Sequence, residues 1–238
     1  MANQSLEDVF EWLAEQEASN WLNGGHYLLN DQSIARYQLH LSRYLGAHTL
    51  PVVFSNCSES ILHALPMLNM ANQDLGIVHI GNQFEVKASL EPEIGSAFHF
   101  SLARFNETRL FCLGIDRDNQ SDKVMEYAED LGCDWMTLNE CQFSHRFQVK
   151  QQLASYLAHC DQIVLNIDLA SLAPKSRLES SRCIDVQLVN RIIRQALVSG
   201  KVKMIQLVGW KDKHIFAKST LSILHEIASM VPSSDRAA

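Results

Sequence analysis

The apolar positions of this chain form short continuous runs of strand length, most of them followed by a stretch with helical spacing. Pro51–Phe54 leads into an amphipathic stretch from Glu59 to Met70, and Leu75–Ile80 follows. Arg109–Ile115 precedes a helix around Ser121–Leu131, and Asp134–Thr137 is a short strand. Gln148–His159 reads as helix, Gln162–Asp168 as strand, Ile184–Leu197 as helix, Val202–Val208 as strand and Ile215–Met230 as a closing helix. Continuous apolar strands alternating with helices belong to a parallel sheet covered on both faces. Right-handed crossovers then predict an α/β protein, a three-layer α/β/α sandwich with a mainly parallel sheet.

Two further helices are predicted before the first strand. Leu6 to Trp21 places Val9, Phe10, Leu13 and Trp21 at helical spacing, and Ile34–Tyr44 repeats the pattern. Two leading helices are unusual for this class, so residues 1–48 read as a divergent helical region, lost or rebuilt from a longer ancestor. No Gly/Ser/Pro-rich linker, repeat or low-complexity stretch divides the chain, so residues 1–238 read as a single domain with 232–238 as a fraying tail.

Composition narrows the function. Hydrophobic residues make up 47% and charged residues 20%, ordinary for a globular protein, and the net charge is 20 − 27 = −7. No basic stripe is present, which argues against a nucleic-acid partner. No apolar run approaches membrane-spanning length, and the acidic start lacks the form of a signal peptide. Six cysteines are scattered without a C-x-x-C pair. They read as buried thiols in a reducing cytoplasm rather than as disulfides or a zinc site.

Ligands of open α/β sheets bind at the carboxyl ends of the strands. Here those ends supply Ser55-Asn56-Cys57-Ser58, Gly81-Asn82-Gln83-Phe84-Glu85, Asp116-Arg117-Asp118, Asp168 and Gly209-Trp210-Lys211. Three segments carry a family likeness: Glu93-Ile-Gly-Ser-Ala-Phe98, Leu113-Gly-Ile-Asp-Arg-Asp-Asn-Gln-Ser121, and Asn166-Ile-Asp168 with Ala173-Pro174. In this order they resemble the arginase/agmatinase/formimidoylglutamase (ureohydrolase) superfamily, on the formimidoylglutamase-like branch. The resemblance runs from about Leu50 to Ala228. It implies an arginase-like fold with a shortened N-terminal part. It also implies a family chemistry in which two manganese ions activate water against a guanidino or formimino carbon, and assembly into trimers or hexamers.

Carried across residue by residue, the resemblance puts the family's metal ligands on positions that mostly cannot serve. The histidine ligand of the first motif falls on Ser58. The bridging aspartate falls on Gly81, the next histidine on Gln83 and the last aspartate of that motif on Glu85. In the third motif one aspartate is kept as Asp168 and the other becomes Ala170. The substrate-side glutamate falls on Gly209. A dinuclear centre holds two dications about 3.5–4 Å apart and needs several anionic oxygens. Glu85 and Asp168 alone suffice for at most one weakly bound divalent cation.

The resemblance thus implies a catalytically inactive homologue that acts by binding a small ligand in the remnant cavity, a partner protein or another copy of itself. An alternative is a diverged metal-dependent hydrolase of a linear amidine C–N bond, recruiting Asp116, Asp118 or Glu59. A third is a thiol or hydroxyl nucleophile at Cys57 or Ser58, without the glycines of a nucleophile elbow.

For single residues there are plainer roles. Asp168 reads as a loop anchor, Glu85 as either a cavity contact or a solvated carboxylate, and His79 as a satisfied core histidine. Gln83 and Asn82 are expected to hydrogen-bond into space that metals would fill. His26, His40, His48 and His63 read as surface or helix residues, and Lys211-Asp212-Lys213 as an exposed run that follows Trp210.

Overall fold

The computed structural model describes residues 5–16, 21–30, 32–47, 49–69, 73–105, 107–172 and 183–231, and the backbone of 236–237. Strands form where the sequence is continuously apolar: β1 (Leu50–Ser55), β2 (Leu75–Ile80), β3 (Thr108–Ile115), β4 (Asp134–Thr137), β5 (Gln162–Asp168) and β6 (Val202–Val208). A two-residue strand, β7 (Arg236–Ala237), lies beside Leu50–Pro51, where the tail pattern predicts frayed chain. The order is β4-β3-β2-β5-β6-β1-β7, and every neighbouring pair is parallel.

The helices are α1 (Val9–Glu15), α2 (Ile34–Gly46), α3 (Ile61–Leu68), α4 (Ala97–Arg104), α5 (Asp122–Asp130), α6 (Arg146–Ala158), α7 (Val186–Val198) and α8 (Lys218–Met230). Caps set several boundaries. Ser121 Oγ accepts from the Val124 N–H at 3.4 Å, and Asp185 Oδ1 accepts from the Gln187 N–H at 2.7 Å. α1 is shorter than the apolar spacing predicts, and Trp21 is buried outside it. α4 has no counterpart among the predicted elements.

Each strand divides its side chains between two cores, because successive residues face opposite ways. One core joins α1, α6, α7 and α8 to the sheet, and the other joins α2, α3, α4 and α5. In β2, Ile77 faces one core while Val78 and Ile80 face the other, all of them fully buried. Burying side chains of this size stabilises by about 1.5–3 kcal/mol each.

The topology fixes where a ligand could enter. β1 and β2 lead into α3 and α4 on one face, whereas β5 and β6 lead into α7 and α8 on the other. β2 lies next to β5, and β6 next to β1. Connections leaving on opposite faces open crevices at the carboxyl ends of these two pairs.

Candidate functional site: a repacked rim at the carboxyl ends of the strands

A row of polar side chains crosses the sheet just below this rim. Parallel register pairs His79 with Asn166, and Asn166 with Gln206. All three are fully buried, so each polar group needs a partner. Gln206 Nε2 donates to Asn166 Oδ1 at 2.9 Å and to the Ser58 carbonyl at 3.2 Å, and Ser60 Oγ lies 3.1 Å from Gln206 Oε1. That leaves the Asn166 amide N–H facing His79 Nδ1 at 3.0 Å.

The chain of donors fixes the histidine. Nδ1 accepts from Asn166, so the ring proton sits on Nε2, which donates to the Gln83 carbonyl at 3.0 Å. Burial lowers the His79 pKa to about 4, against an opposing pull from Asp168. His79 is therefore a neutral imidazole with both nitrogens satisfied.

Above this row stand the positions that the family likeness picks out. His79 fills the space next to Gly81. A Cβ at Gly81 would lie 2.4 Å from His79 Nε2 and 2.6 Å from Cε1, closer than side-chain atoms can approach. Gly209 is closed in the same way, since a Cβ there would lie 2.8 Å from His214 Cβ and 3.3 Å from Leu169 Cβ. His214 is held by the Trp210 N–H, which donates to its Nδ1 at 3.1 Å. Neither position can carry an aspartate or glutamate unless an imidazole moves.

Asp168 is used as a loop anchor. Its Oδ1 accepts from the Ala170 N–H at 2.9 Å, and its carbonyl accepts from Ser171 Oγ at 2.6 Å, opening the turn Leu169–Leu172. Burial raises its pKa, and the Ala170 N–H bond pulls the other way. Ala170 therefore contributes a backbone donor to this carboxylate. Ala173 and Pro174 lie outside the described residues.

Glu85 is the most strained member. Its backbone lies at φ 52°, a region that residues with a Cβ rarely adopt. Its Oε2 is buried with no hydrogen-bond partner among the described residues. Burial raises its pKa to about 7, Ser58 opposes this, and the Glu59 charge adds to it. The Glu85 carboxyl is thus largely buried rather than a solvated loop carboxylate.

Gln83 and Asn82 differ from expectation. The Gln83 side chain is exposed, and it is the backbone carbonyls that turn inward. Gln83 O meets His79, while Asn82 O accepts from the Asp116 N–H at 3.1 Å and from Gln120 Nε2 at 3.2 Å. The tight turn after β2 points its carbonyls at the sheet, so the polar need is met by main chain.

Among the described residues no group of three or more His, Cys, Asp or Glu is placed to hold a metal ion. The chemistry agrees. Asp168 Oδ1 is engaged by backbone, Ser58 is a neutral hydroxyl, and the unpartnered Oε2 of Glu85 belongs to a carboxyl that burial keeps largely protonated below neutral pH.

The other candidates are also engaged. Glu59 Oε1 accepts from the N–H of Gly95 at 2.7 Å and of Ser96 at 3.2 Å, pinning the loop before α4. Asp116 holds Asn119, and Asp118 is exposed. Burial raises the Cys57 pKa, and Glu59 adds to it, which is opposite to the activation a thiol nucleophile needs. Lys211 pairs with Asp8 and lies 5.6 Å from the Phe216 ring centroid, so it ties α1 to the turn after β6. His40 bonds Tyr27, and His48 lies outside the described residues.

No sequence signal marked His79 and His214 as the residues that close Gly81 and Gly209. A histidine two residues before the expected bridging aspartate was the available hint.

No protein-family model matches the chain. Among curated proteins it is similar to the formimidoylglutamase of Psychrobacter cryohalolentis, 23% identical over 141 residues, covering 56% of this chain and 41% of that protein. It is similar to the formimidoylglutamase of Chromobacterium violaceum at 23% over 178 residues, covering 71% and 58%. The match thus spans roughly two-fifths to three-fifths of these relatives' length. Among solved structures, the formimidoylglutamase of Bacillus subtilis superposes with a TM-score of 0.68 at 13% identity, covering 95% of this chain and 83% of that one. The arginase of the same species gives 0.69 at 12%, covering 98% and 93%. Fold and sequence likeness together support the arginase/agmatinase/formimidoylglutamase superfamily, on its formimidoylglutamase-like branch.

Proposed function

We propose that this chain is a ureohydrolase-superfamily protein that does not assemble a two-manganese hydrolytic centre and acts by binding. The observation that carries the reading is the His79 ring beside Gly81, which occupies the volume a bridging carboxylate would need. A metal-bridging group cannot return there without displacing a fully buried, doubly hydrogen-bonded imidazole. Glu85 and Asp168 would then hold at most one weakly bound divalent cation. In keeping with the family likeness the protein is a homo-oligomer located in the cytoplasm, and light scattering of the purified chain tests the assembly.

Manganese titration with thermal melting is the primary test. A ligand of the native state at 100 times its Kd adds about 2.7 kcal/mol of stability. The expected result is an unchanged melting temperature at millimolar manganese, with no release of formamide or ammonia from formimidoylglutamate and no urea from arginine or agmatine. Two tightly held manganese ions per chain would overturn the reading. So would turnover of any of these substrates that Asp168→Ala abolishes, which would favour a diverged C–N hydrolase instead.

A further inference from the structure

The sheet stops at β1 in a place built to carry it further. β1 has β6 on one side and on the other only β7, whose two residues pair with Leu50 and Pro51. Among the described strands none lies beside Val52–Ser55 on that side. A cavity of about 710 Å³ runs along this open edge, between α1, α2 and the segment 23–29.

The register tells which main-chain groups face the opening. The Ser55 carbonyl accepts from the Gly209 N–H at 2.9 Å, so it faces β6. Successive residues of a parallel strand turn their N–H and C=O to opposite sides. The N–H and C=O of Phe54 therefore point to the outer edge, into the cavity that Phe54 lines. An edge of this kind is a template for another strand.

The walls belong to both layers of the fold. Phe10 and Leu13 of α1 stand on one side, in the core shared with α7 and α8. Tyr37 and Leu41 of α2 stand on the other side, in the opposite core. The opening thus continues the plane of the sheet between two apolar walls. An added strand sends alternate side chains to opposite faces, so each meets one of these walls. β7 already begins such an addition at the start of the same edge. The open stretch spans about 13 Å, at about 3.3 Å per residue.

Shape and charge select the occupant. The edge lies on the floor of a cavity walled by α1 and α2, so the same recessed edge of a second copy cannot reach it, whereas a single extended segment can. Among the described residues no lysine or arginine lines the cavity. Its two carboxylates are engaged: Glu7 faces His26 at 3.6 Å, and Glu59 accepts the two backbone N–H groups described above. A charged side chain entering here would be buried without a partner, which is costly.

We infer that the open edge of β1 docks an extended, uncharged segment of a partner protein as an added strand, with apolar side chains at alternate positions. The inference rests on the sheet edge and stands whether or not the rim holds metal. The probe is a capped pentapeptide of alternating threonine and valine, titrated into the full chain and followed by protein-detected NMR. Two analogues accompany it: one N-methylated at every residue, and one with lysine in place of valine. Phe54→Pro removes the outward N–H, and Phe54→Leu keeps it.

The expected result is saturable binding that slows exchange of the Phe54 amide at least about five-fold. Both analogues should bind at least about ten-fold more weakly, the first for lost main-chain hydrogen bonds and the second for buried charge. Phe54→Pro should weaken the parent peptide more than Phe54→Leu does. No saturable binding, equal binding of the N-methylated or lysine analogue, or an unprotected Phe54 amide at saturation would each overturn the inference. So would Phe54 protection that rises with protein concentration in the absence of peptide, which would assign the edge to a second copy. Were Phe54→Pro to unfold, the ranking of the three peptides on the wild type decides.

Discussion

His79 Nε2 stands 2.4 Å from the point where a Cβ on Gly81 would lie. The glycine and the histidine form one packing unit, since either residue can be larger only if the other is smaller. Gly81→Asp in the wild-type background should therefore destabilise by about 1–3 kcal/mol, the usual cost of overpacking. In a His79→Ala background the same substitution should cost at least about 1 kcal/mol less, because the ring it collides with is gone. Urea denaturation of the four proteins measures the coupling. Additive effects would mean that the two side chains do not compete for the same space.

The pH dependence of stability carries two opposing contributions from this rim. The folded-state pKa of Glu85, raised to about 7 by burial, means that the native state holds a proton that the unfolded chain has released. Its contribution to stability falls as pH rises from about 4.5 to 7. His79 is lowered to about 4, so the unfolded chain binds the proton more readily, and stability falls as pH drops from about 6.5 to 4. Asp168, raised by burial, adds to the Glu85 direction. Glu85→Gln should gain stability over wild type as pH rises from about 4.5 to 7 and hold that gain, about 1–3 kcal/mol, at pH 8. A pH-independent difference between the two would remove the argument for a buried, protonated Glu85.

Asn166 decides which nitrogen of His79 carries the proton. Replacing its amide by a carboxylate removes the N–H that Nδ1 accepts and sets an acceptor against that nitrogen. Asn166→Asp should raise the His79 pKa by at least one unit above its wild-type value, since a carboxylate favours the imidazolium. NMR titration of the His79 ring protons checks this. Asn166→Leu should cost about 2–4 kcal/mol, because it strands donors and acceptors on both His79 and Gln206.

α1 is fastened to the loop after β6, at the Lys211 end of the rim. The Trp12 and Phe216 rings stack with centroids 4.8 Å apart, and Lys211 pairs with Asp8 beside them. Trp12→Ala should destabilise by about 1–3 kcal/mol from lost burial and stacking. It should also speed amide exchange in Val9–Glu15 more than in α7. Equal acceleration throughout would mean that α1 and the sheet open as one unit.

The strands were legible because their residues are continuously apolar. Leu75–Ile80, Asp134–Thr137, Gln162–Asp168 and Val202–Val208 form the strands that the pattern predicts. α4 was missed because Ala97–Arg104 interleaves polar residues, and its burial depends on α3 rather than on its own pattern. The shortness of α1 was not legible either. Apolar spacing placed Trp21 on the helix, whereas the structure buries its ring from outside it.

The sequence alone determined the layered α/β architecture and which positions of the rim lack carboxylates, because both depend only on residue type and order along the chain. It could not reveal what fills the space those positions leave. His79 lies two residues before Gly81 and His214 lies five after Gly209. Only the tertiary structure turns both imidazoles onto the glycines, through the amide row from Gln206 to His79 and the turn that folds His214 back. A volume between side chains belongs to no single stretch of chain, so its occupant is decided when the layers pack.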